Sequence, residues 1–491
     1  MGRSGPAAHP RSRMTTLSWP LARRAPLVVV LLFGIALALR FPFASRVLWA
    51  WDSVLYARAI EAFDVAQGRP HPPGYLLYVL VARAAAWMLG DANAGLVAVS
   101  IVAGAATVAL AFVVGLRVSW RIGVFAALTT LASPLLWHYS EVAYPYTLLA
   151  LLSGAVGLLL WMARRGSLRA AVLASLTLGL ASGFRQDLLM VLGPLWLWSM
   201  LGHGRRAVLL GALAAGAGCV VWAVPTVVLS EGPERYLAAL RSQIFGLGML
   251  ASDDSRTLLR NASIAAVGLR WQVHWLAPLV PIGAIAIARR RRELAWPLVL
   301  WTAPALLVYL LFHIGEWAYT LSVAIPLALV IAVGADELLT PARRALTRRA
   351  LTVAFVVLAA LNAQSFLFGH GRFAVAALRG HDLGLEARIA AIHARFSPAD
   401  TVILARDAIQ HARYYLPGYR SVQVVPRRGS QDLTFAPGTR YAILFLGEVR
   451  ARPRWLARAV PADSGVEVSY VEIGGGRHFA LENGDLVLEG Y

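Results

Sequence analysis

Up to residue 368 the chain alternates long apolar runs with short polar breaks rich in arginine. A bilayer-crossing helix needs about 20 apolar residues, or about 17 at the short end. By that measure the pattern predicts spans over residues 26–41, 94–116, 121–137, 143–163, 168–183, 187–202, 206–230, 270–288, 294–313, 317–338 and 347–368. The fold class expected is an all-α polytopic membrane protein of about eleven transmembrane helices. The stretch from Tyr75 to Leu89 is also apolar, but it is only about fifteen residues long. It carries Arg83 in its middle, where an arginine costs about 2.5–3.5 kcal/mol. It is expected to lie along the outer interface as an amphipathic helix.

The arginines give these spans a direction. Arg23/Arg24, Arg117/Arg121, Arg164/Arg165/Arg169, Arg205/Arg206, Arg289 to Arg292 and Arg343/Arg344/Arg348/Arg349 fall on every second connection. Cytoplasmic loops are enriched in Lys and Arg, so residues 1–25 form a basic cytoplasmic N-terminus. The opposite connections are Arg40 to Asn93, Trp137 to Tyr146, Gly183 to Asp187, Glu231 to Asn261 and His313 to Tyr319. Any chemistry faces outward, because the cytoplasmic connections are short and basic. Arg23 and Arg24 before the first apolar run resemble a signal peptide. Arg40-Phe41-Pro42-Phe43 is a poor cleavage site, so the first span is read as retained.

The membrane part is placed at residues 26–368, with an outer loop at 40–93. Residues 369–491 change character. Leu385 to Phe396 reads as an amphipathic helix. Thr401 to Leu404 and Tyr441 to Phe445 read as buried strands, with a helix over Asp407 to Tyr415 between them. Val466 to Tyr470 and His478 to Leu481 add edge strands. The expectation is a small C-terminal α/β domain on the outer face, accessory to the site or docking the acceptor.

Composition agrees with a membrane protein: 58% apolar, 15% charged and a mean hydropathy of +0.62. The net charge is +20 and all the Lys+Arg residues are arginine. Positive loops explain that balance without a nucleic-acid partner. Cys219 is the single cysteine, which removes disulfide frameworks, cysteine-ligated zinc and dithiol redox chemistry.

Charged groups are costly at a membrane boundary and those that remain mark sites. Asp52 follows the aromatic pair Trp49 and Trp51, just past the first span. It reads either as a helix N-cap or as a carboxylate facing a cleft. His71 sits among Pro70, Pro72 and Pro73 in a rigid stretch. Asp64 reads as a solvated residue, and Glu141 is the one acid on the second outer tip. Arg185 and Asp187 could simply pair with each other. His313, Glu316 and Tyr319 occupy the tip before the tenth span.

The elements Trp51-Asp52-Ser53 to Tyr56, Gly68 to Tyr78 with its His71-Pro72-Pro73-Gly74-Tyr75 core, Trp137 to Tyr146 and Gly183 to Asp187 follow one another in a characteristic order. This order resembles the GT-C superfamily of membrane glycosyltransferases. It is most similar to the bacterial relatives of protein O-mannosyltransferases and of lipid A aminoarabinose transferase. The resemblance covers roughly residues 26 to 368. It departs from the family at Ser53, where many relatives have a second acid, and at Glu141, where many have Asp. Arg69 and His71 stand where the aminoarabinose transferase has a phosphate-contacting lysine.

The resemblance implies an inverting hexosyl or pentosyl transferase in a bacterial inner membrane, N-terminus inside and C-terminal domain outside. Its donor would be a polyprenyl-phosphate sugar, and its acceptor a lipid, a glycan or a protein. Such a transfer needs a base for the acceptor hydroxyl and positive charge for the departing phosphate. Asp52 is the expected base. Arg185, Arg69 and His71 are the expected phosphate ligands. Glu141 either orients the acceptor or shares a divalent cation, Mg or Mn, with Asp52. Tyr56, Tyr75, His138, Tyr144, Glu316 and Tyr319 are expected to line the cleft. A lipid-substrate transporter or flippase and a glycan ligase are the competing readings. The first is disfavoured because no internal repeat is visible.

Overall fold

The computed structural model describes residues 19–246, 255–340, 344–426, 430–474 and 478–488. Residues 1–18 of the expected N-terminus, Arg343 and residues 247–254 of the long outer loop lie outside them. In chain order the helices are α1 (Trp19–Arg40), α2 (Trp51–Glu61), α3 (Leu76–Leu89), α4 (Ala92–Leu116), α5 (Trp120–Leu131), α6 (Pro134–Ser140), α7 (Tyr146–Ala163), α8 (Leu168–Ala181) and α9 (Asp187–Leu201). They continue with α10 (Arg205–Leu229), α11 (Pro233–Gly246), α12 (Ser255–Val273), α13 (Leu279–Arg290), α14 (Arg292–Leu311), α15 (Ala324–Leu339), α16 (Ala345–Leu367), α17 (Val375–Arg395) and α18 (Ile409–Tyr415).

Among the described residues, seven helices are long and apolar enough to cross a bilayer, or nine if two bent pairs each count as one span. This corrects the expectation of about eleven. The helices α8 and α9, with 14 and 15 residues, are short for a crossing. The expected span at 121–137 is broken between α5 and α6 by a bend of 58°. Pro134 opens α6 and Ser133 caps it, its hydroxyl accepting from the Leu136 N–H. The expected span at 270–288 bends by 90° before α13, where Pro278 stands as N-cap.

Small residues let these helices approach. A Cβ on Gly95 of α4 would meet the Ala86 backbone of α3 at 2.5 Å, and one on Gly218 of α10 would meet the Leu176 carbonyl of α8 at 2.6 Å. Arg83, the feature that argued against a crossing at residues 75–89, donates to the carbonyls of Ile60 (2.7 Å) and Ala59 (2.9 Å). It satisfies carbonyls left open at the C-terminal end of α2. Trp87 and Met88 at the end of α3 are largely exposed.

After α17 the chain is rich in strands: β1 (Thr401–Ala405), β2 (Arg420–Gln423), β3 (Ser430–Asp432), β4 (Tyr441–Leu444), β5 (Ala451–Arg452), β6 (Ala457–Pro461), β7 (Glu467–Glu472), β8 (Phe479–Glu482) and β9 (Asp485–Leu488). They form a five-stranded sheet, β2-β1-β4-β7-β6, and a four-stranded sheet, β3-β8-β9-β5. In the first sheet β1 runs parallel to β2 and β4, while β7 is antiparallel to β4 and β6.

Alternation explains why β1 is apolar throughout. Val402 and Leu404 pack on Phe479 and Leu486 of the second sheet, while Ile403 and Ala405 pack in the core that holds α17 and α18. The domain is therefore β-rich with two sheets, rather than one α/β layer pair. Both expected edge strands are interior, because β7 lies between β4 and β6 and β8 between β3 and β9. The expected helix at Leu385 to Phe396 is the second half of the longer α17.

Candidate functional site

The first acid sits in the opening turn of α2. The N-cap is Ala50, and the Ser53 hydroxyl accepts from the Ala50 N–H at 3.3 Å. Asp52 is thus not the cap, and its carboxylate is turned elsewhere. Its Oδ1 lies 3.6 Å from Nδ1 of His71, a nitrogen that is buried with no hydrogen-bond partner among the described residues. Burial lowers the His71 pKa; Asp52 opposes that and Arg185 adds to it. A neutral imidazole results, able to place an Nδ1–H toward Asp52.

The loop that presents His71 is built by Asp64. Its side chain accepts from the Ala66 N–H at 2.9 Å, capping the turn Val65–Gln67. Its backbone exchanges two hydrogen bonds with Arg69, at 2.6 and 2.8 Å. Gly68 closes the turn at φ +69°, a conformation glycine adopts without strain. The expectation that Asp64 is a solvated residue is corrected, since it is buried and organises the loop. Arg69 itself points to Gln67. It neighbours Arg58 electrostatically and is not among the cavity-lining residues.

Arg185 lies in the turn between α8 and α9, 3% exposed. Its Nε and Nη2 donate to the two carboxylate oxygens of Asp187 at 3.2 and 2.9 Å. Its guanidinium lies over the rings of Tyr75, Tyr146 and Tyr319, 5.6, 4.9 and 4.9 Å from their centres. Asp187 also accepts from the Tyr309 hydroxyl at 3.1 Å. The carbonyl of Gly183 accepts from the Leu77 N–H at 3.1 Å, tying this turn to the start of α3.

Beside Arg185 and its tyrosine rings opens a cavity of about 450 Å³. Arg185, Gln186, Asp187, Tyr309 and His313 form its polar wall, and Leu189, Met190, Leu240 and Phe312 belong to its apolar lining. Burial lowers the His313 pKa, with Arg260 adding to the effect and Asp52 opposing it.

Tyr56, Tyr75 and His71 form one aromatic group, with ring centres 5.1 to 5.6 Å apart. Burial raises the pKa of both Tyr56 and Tyr75, so both remain neutral phenols. Tyr144 contacts Tyr146, which contacts Tyr319. Glu316 accepts from the Tyr139 hydroxyl at 2.9 Å. Burial pushes Glu316 up to about 7; the Tyr139 hydrogen bond opposes this, and Asp52 adds to it.

Asp52, His71, Tyr56, Tyr75, Tyr144, Arg185, Glu316 and Tyr319 thus belong to one connected neighbourhood. Glu141 faces other groups, and His138 borders the neighbourhood through Tyr139. Glu141 is wholly buried and looks onto Arg40, Arg379 and Trp137, with neither carboxylate oxygen hydrogen-bonded among the described residues. His138 packs against Trp49, Tyr139 and Phe373. Glu316 is an acid on which the Asp52 charge acts. No group of three His, Cys, Asp or Glu able to hold a metal occurs among the described residues. Sequence reasoning missed Tyr309 and Gln186. Tyr309 stands in an apolar helix with no polar neighbour to flag it. Gln186 lies inside a quoted element, and both its amide atoms are buried without partners among the described residues.

A crystal structure of ArnT from Cupriavidus metallidurans bound to undecaprenyl phosphate matches 94% of this chain and 99% of its own, with a TM-score of 0.59 at 14% identity. The chain has the fold of ArnT. The apo form of ArnT matches 83% of this chain and 86% of its own, with a TM-score of 0.55 at 16% identity. No family model and no curated protein matches the sequence. The ArnT fold agrees with the architecture implied by the resemblance, and at these identities it speaks for the fold alone.

Proposed function

We propose that the chain is an inverting membrane glycosyltransferase of the GT-C type. It moves a sugar from a polyprenyl-phosphate donor to an acceptor hydroxyl at the outer face of a bacterial inner membrane. The observation that carries this reading is Arg185: a buried, permanently charged guanidinium in the wall of an apolar cavity of about 450 Å³. Tyr75 contacts both Arg185 and His71, and His71 neighbours Asp52. A cation beside an apolar cavity suits a ligand with an anionic head and a hydrocarbon tail. ArnT has been solved with undecaprenyl phosphate, a ligand of that chemistry.

In the transfer, Asp52 takes the proton of the acceptor hydroxyl. The acceptor oxygen attacks the anomeric carbon from the face opposite the phosphate, and the new C–O bond forms as the bond to the phosphate oxygen breaks. The phosphate leaves with the bonding pair. Arg185 stabilises that charge, and the fixed guanidinium needs little reorganisation to do so. Its Nε and Nη2 hold Asp187 and its further N–H groups serve the phosphate. His71 orients the Asp52 carboxylate through Nδ1–H. The arginine-rich connections put the N-terminus inside and this site outside.

The test is transfer by the reconstituted protein from a panel of polyprenyl-phosphate sugars. Asp52→Asn keeps the size of the side chain and does not disturb the cap, which is Ala50. Loss of a general base lowers the rate by about 10²–10⁴-fold. Near wild-type transfer by Asp52→Asn defeats the base assignment. Donor crossing the membrane without transfer identifies a transporter instead. The lipid-linked sugar that accumulates on deletion of the gene names the donor.

A further inference from the structure

The segment from Arg46 to Trp49 launches α2, and with it Asp52. Among the described residues it makes no backbone–backbone hydrogen bond; the nearest is Ser45 N–H to the Glu141 carbonyl, at 2.8 Å. Backbone groups in such a segment need partners from elsewhere. The Val47 carbonyl accepts from the Ser45 hydroxyl at 2.9 Å, and the Arg46 N–H and both backbone groups of Leu48 find partners on α17 and α18.

Asp382, wholly buried, accepts from the Ser45 hydroxyl at 2.6 Å and the Arg46 N–H at 3.1 Å. The Leu48 N–H donates to the Tyr415 hydroxyl oxygen at 2.8 Å. The Leu48 carbonyl meets Nε2 of His411 at 3.0 Å and Nε2 of His381 at 3.2 Å. A carbonyl only accepts, so both imidazoles present Nε2–H. Burial keeps both rings neutral, with His411 lowered to about 4. About two turns along α2, Arg58 donates to Gln410 at 3.2 Å. Val47 and Trp51 pack into the core built from α17, α18 and the five-stranded sheet. Both backbone polar groups of one residue, Leu48, four residues before Asp52, are therefore held by the C-terminal part of the chain.

We propose that the C-terminal region positions Asp52: His411, His381 and Tyr415 clamp the backbone N–H and carbonyl of Leu48 and so set the place of the α2 N-terminus at the reaction centre. These are positioning residues, because they act on Asp52 only through the backbone of Leu48. The inference rests on Asp52 being the base. It assigns the β-rich region a part in turnover beyond that of an appended module.

The clearest probe is Tyr415→Phe in the full-length protein, which keeps the ring and removes only the oxygen that accepts from Leu48. Amide exchange over Arg46 to Trp49 should speed up by about three- to tenfold, the size of one lost hydrogen bond. Displacing a catalytic group by as little as 1 Å costs up to about 100-fold. The kcat should accordingly fall by about tenfold or more, with the KM for donor unchanged because the Arg185 wall is untouched. His411→Leu should act in the same direction, and His411→Gln, which returns an N–H donor, should recover most of the rate.

Faster exchange with unchanged kcat overturns the proposal. So does unchanged exchange. A fall in kcat that comes with a raised donor KM and general loss of exchange protection is collapse of the fold, and also overturns it. If wild-type protein transfers no sugar while Tyr415→Phe still loosens Leu48, the transferase reading has failed and the clamp itself stands.

Discussion

Arg185→Lys separates a phosphate ligand from a structural ion pair. Arginine at this position makes two charge-assisted hydrogen bonds to Asp187 and lies against three tyrosine rings. Lysine keeps the charge but loses the planar fork, so it makes point contacts where arginine chelates. Asp187 remains held by the Tyr309 hydroxyl, which limits the structural damage. Hydrogen bonds to charged groups contribute about 1.5–3 kcal/mol each. Losing one such bond in the transition state corresponds to a fall in kcat/KM of about 10- to 100-fold. The assay is steady-state transfer in nanodiscs with donor concentration varied, alongside direct binding of the polyprenyl phosphate without its sugar. The expected result is a lower kcat/KM together with weaker binding of the carrier phosphate. Unchanged donor dependence in a folded variant would return Arg185 to the role of partner for Asp187 and remove the observation on which the function rests.

Glu141→Gln removes a wholly buried carboxyl whose charge attracts Arg40, and loss of that attraction inside the protein lowers stability. Thermal unfolding should show that loss, while the surviving folded protein keeps its turnover; lost turnover without lost stability would return Glu141 to the site. Glu316, pushed up to about 7 from an ordinary 4.5, binds a proton more tightly when folded. Its contribution is present below about pH 4.5 and is lost as pH rises through about 7, by at most about 3 kcal/mol. Melting temperature measured between pH 5 and 8 should therefore fall more steeply in the wild type than in Glu316→Gln, and parallel curves would refute the assignment. Reporter fusions after Arg121, Arg206 and Arg344 should be cytoplasmic and a fusion after Gly380 outside; a cytoplasmic signal at Gly380 inverts the site's orientation.

What could be read from the sequence follows from how each signal is encoded. Apolar length is written locally, so every expected span overlaps a helix or a bent pair, although α12 begins well before the span expected at 270–288. Where a proline or a short run interrupts the pattern, as at Pro134 and Pro278, hydropathy alone does not separate one crossing from two inclined pieces. The strands at Thr401 and Tyr441 were legible because both faces are buried and the apolar run is continuous. Edge or interior position was not legible, since pairing order depends on residues far apart in the chain.

The same distinction applies to the site. Asp52, His71 and Arg185 stand out as polar groups beside apolar spans. The direction in which a carboxylate points is set by partners far away in sequence. Glu141 and Glu316 look alike as acids on outer tips. One is turned onto Arg40 from α1, and the other, in the tip before α15, receives the Tyr139 hydroxyl from α6. Asp52 and Asp64 differ for a similar reason: Asp52 lies inside the opening turn of α2, which Ala50 begins, whereas Asp64 precedes its turn and caps it. Residue type and spacing thus identify which groups can do chemistry, and long-range packing decides which of them meet.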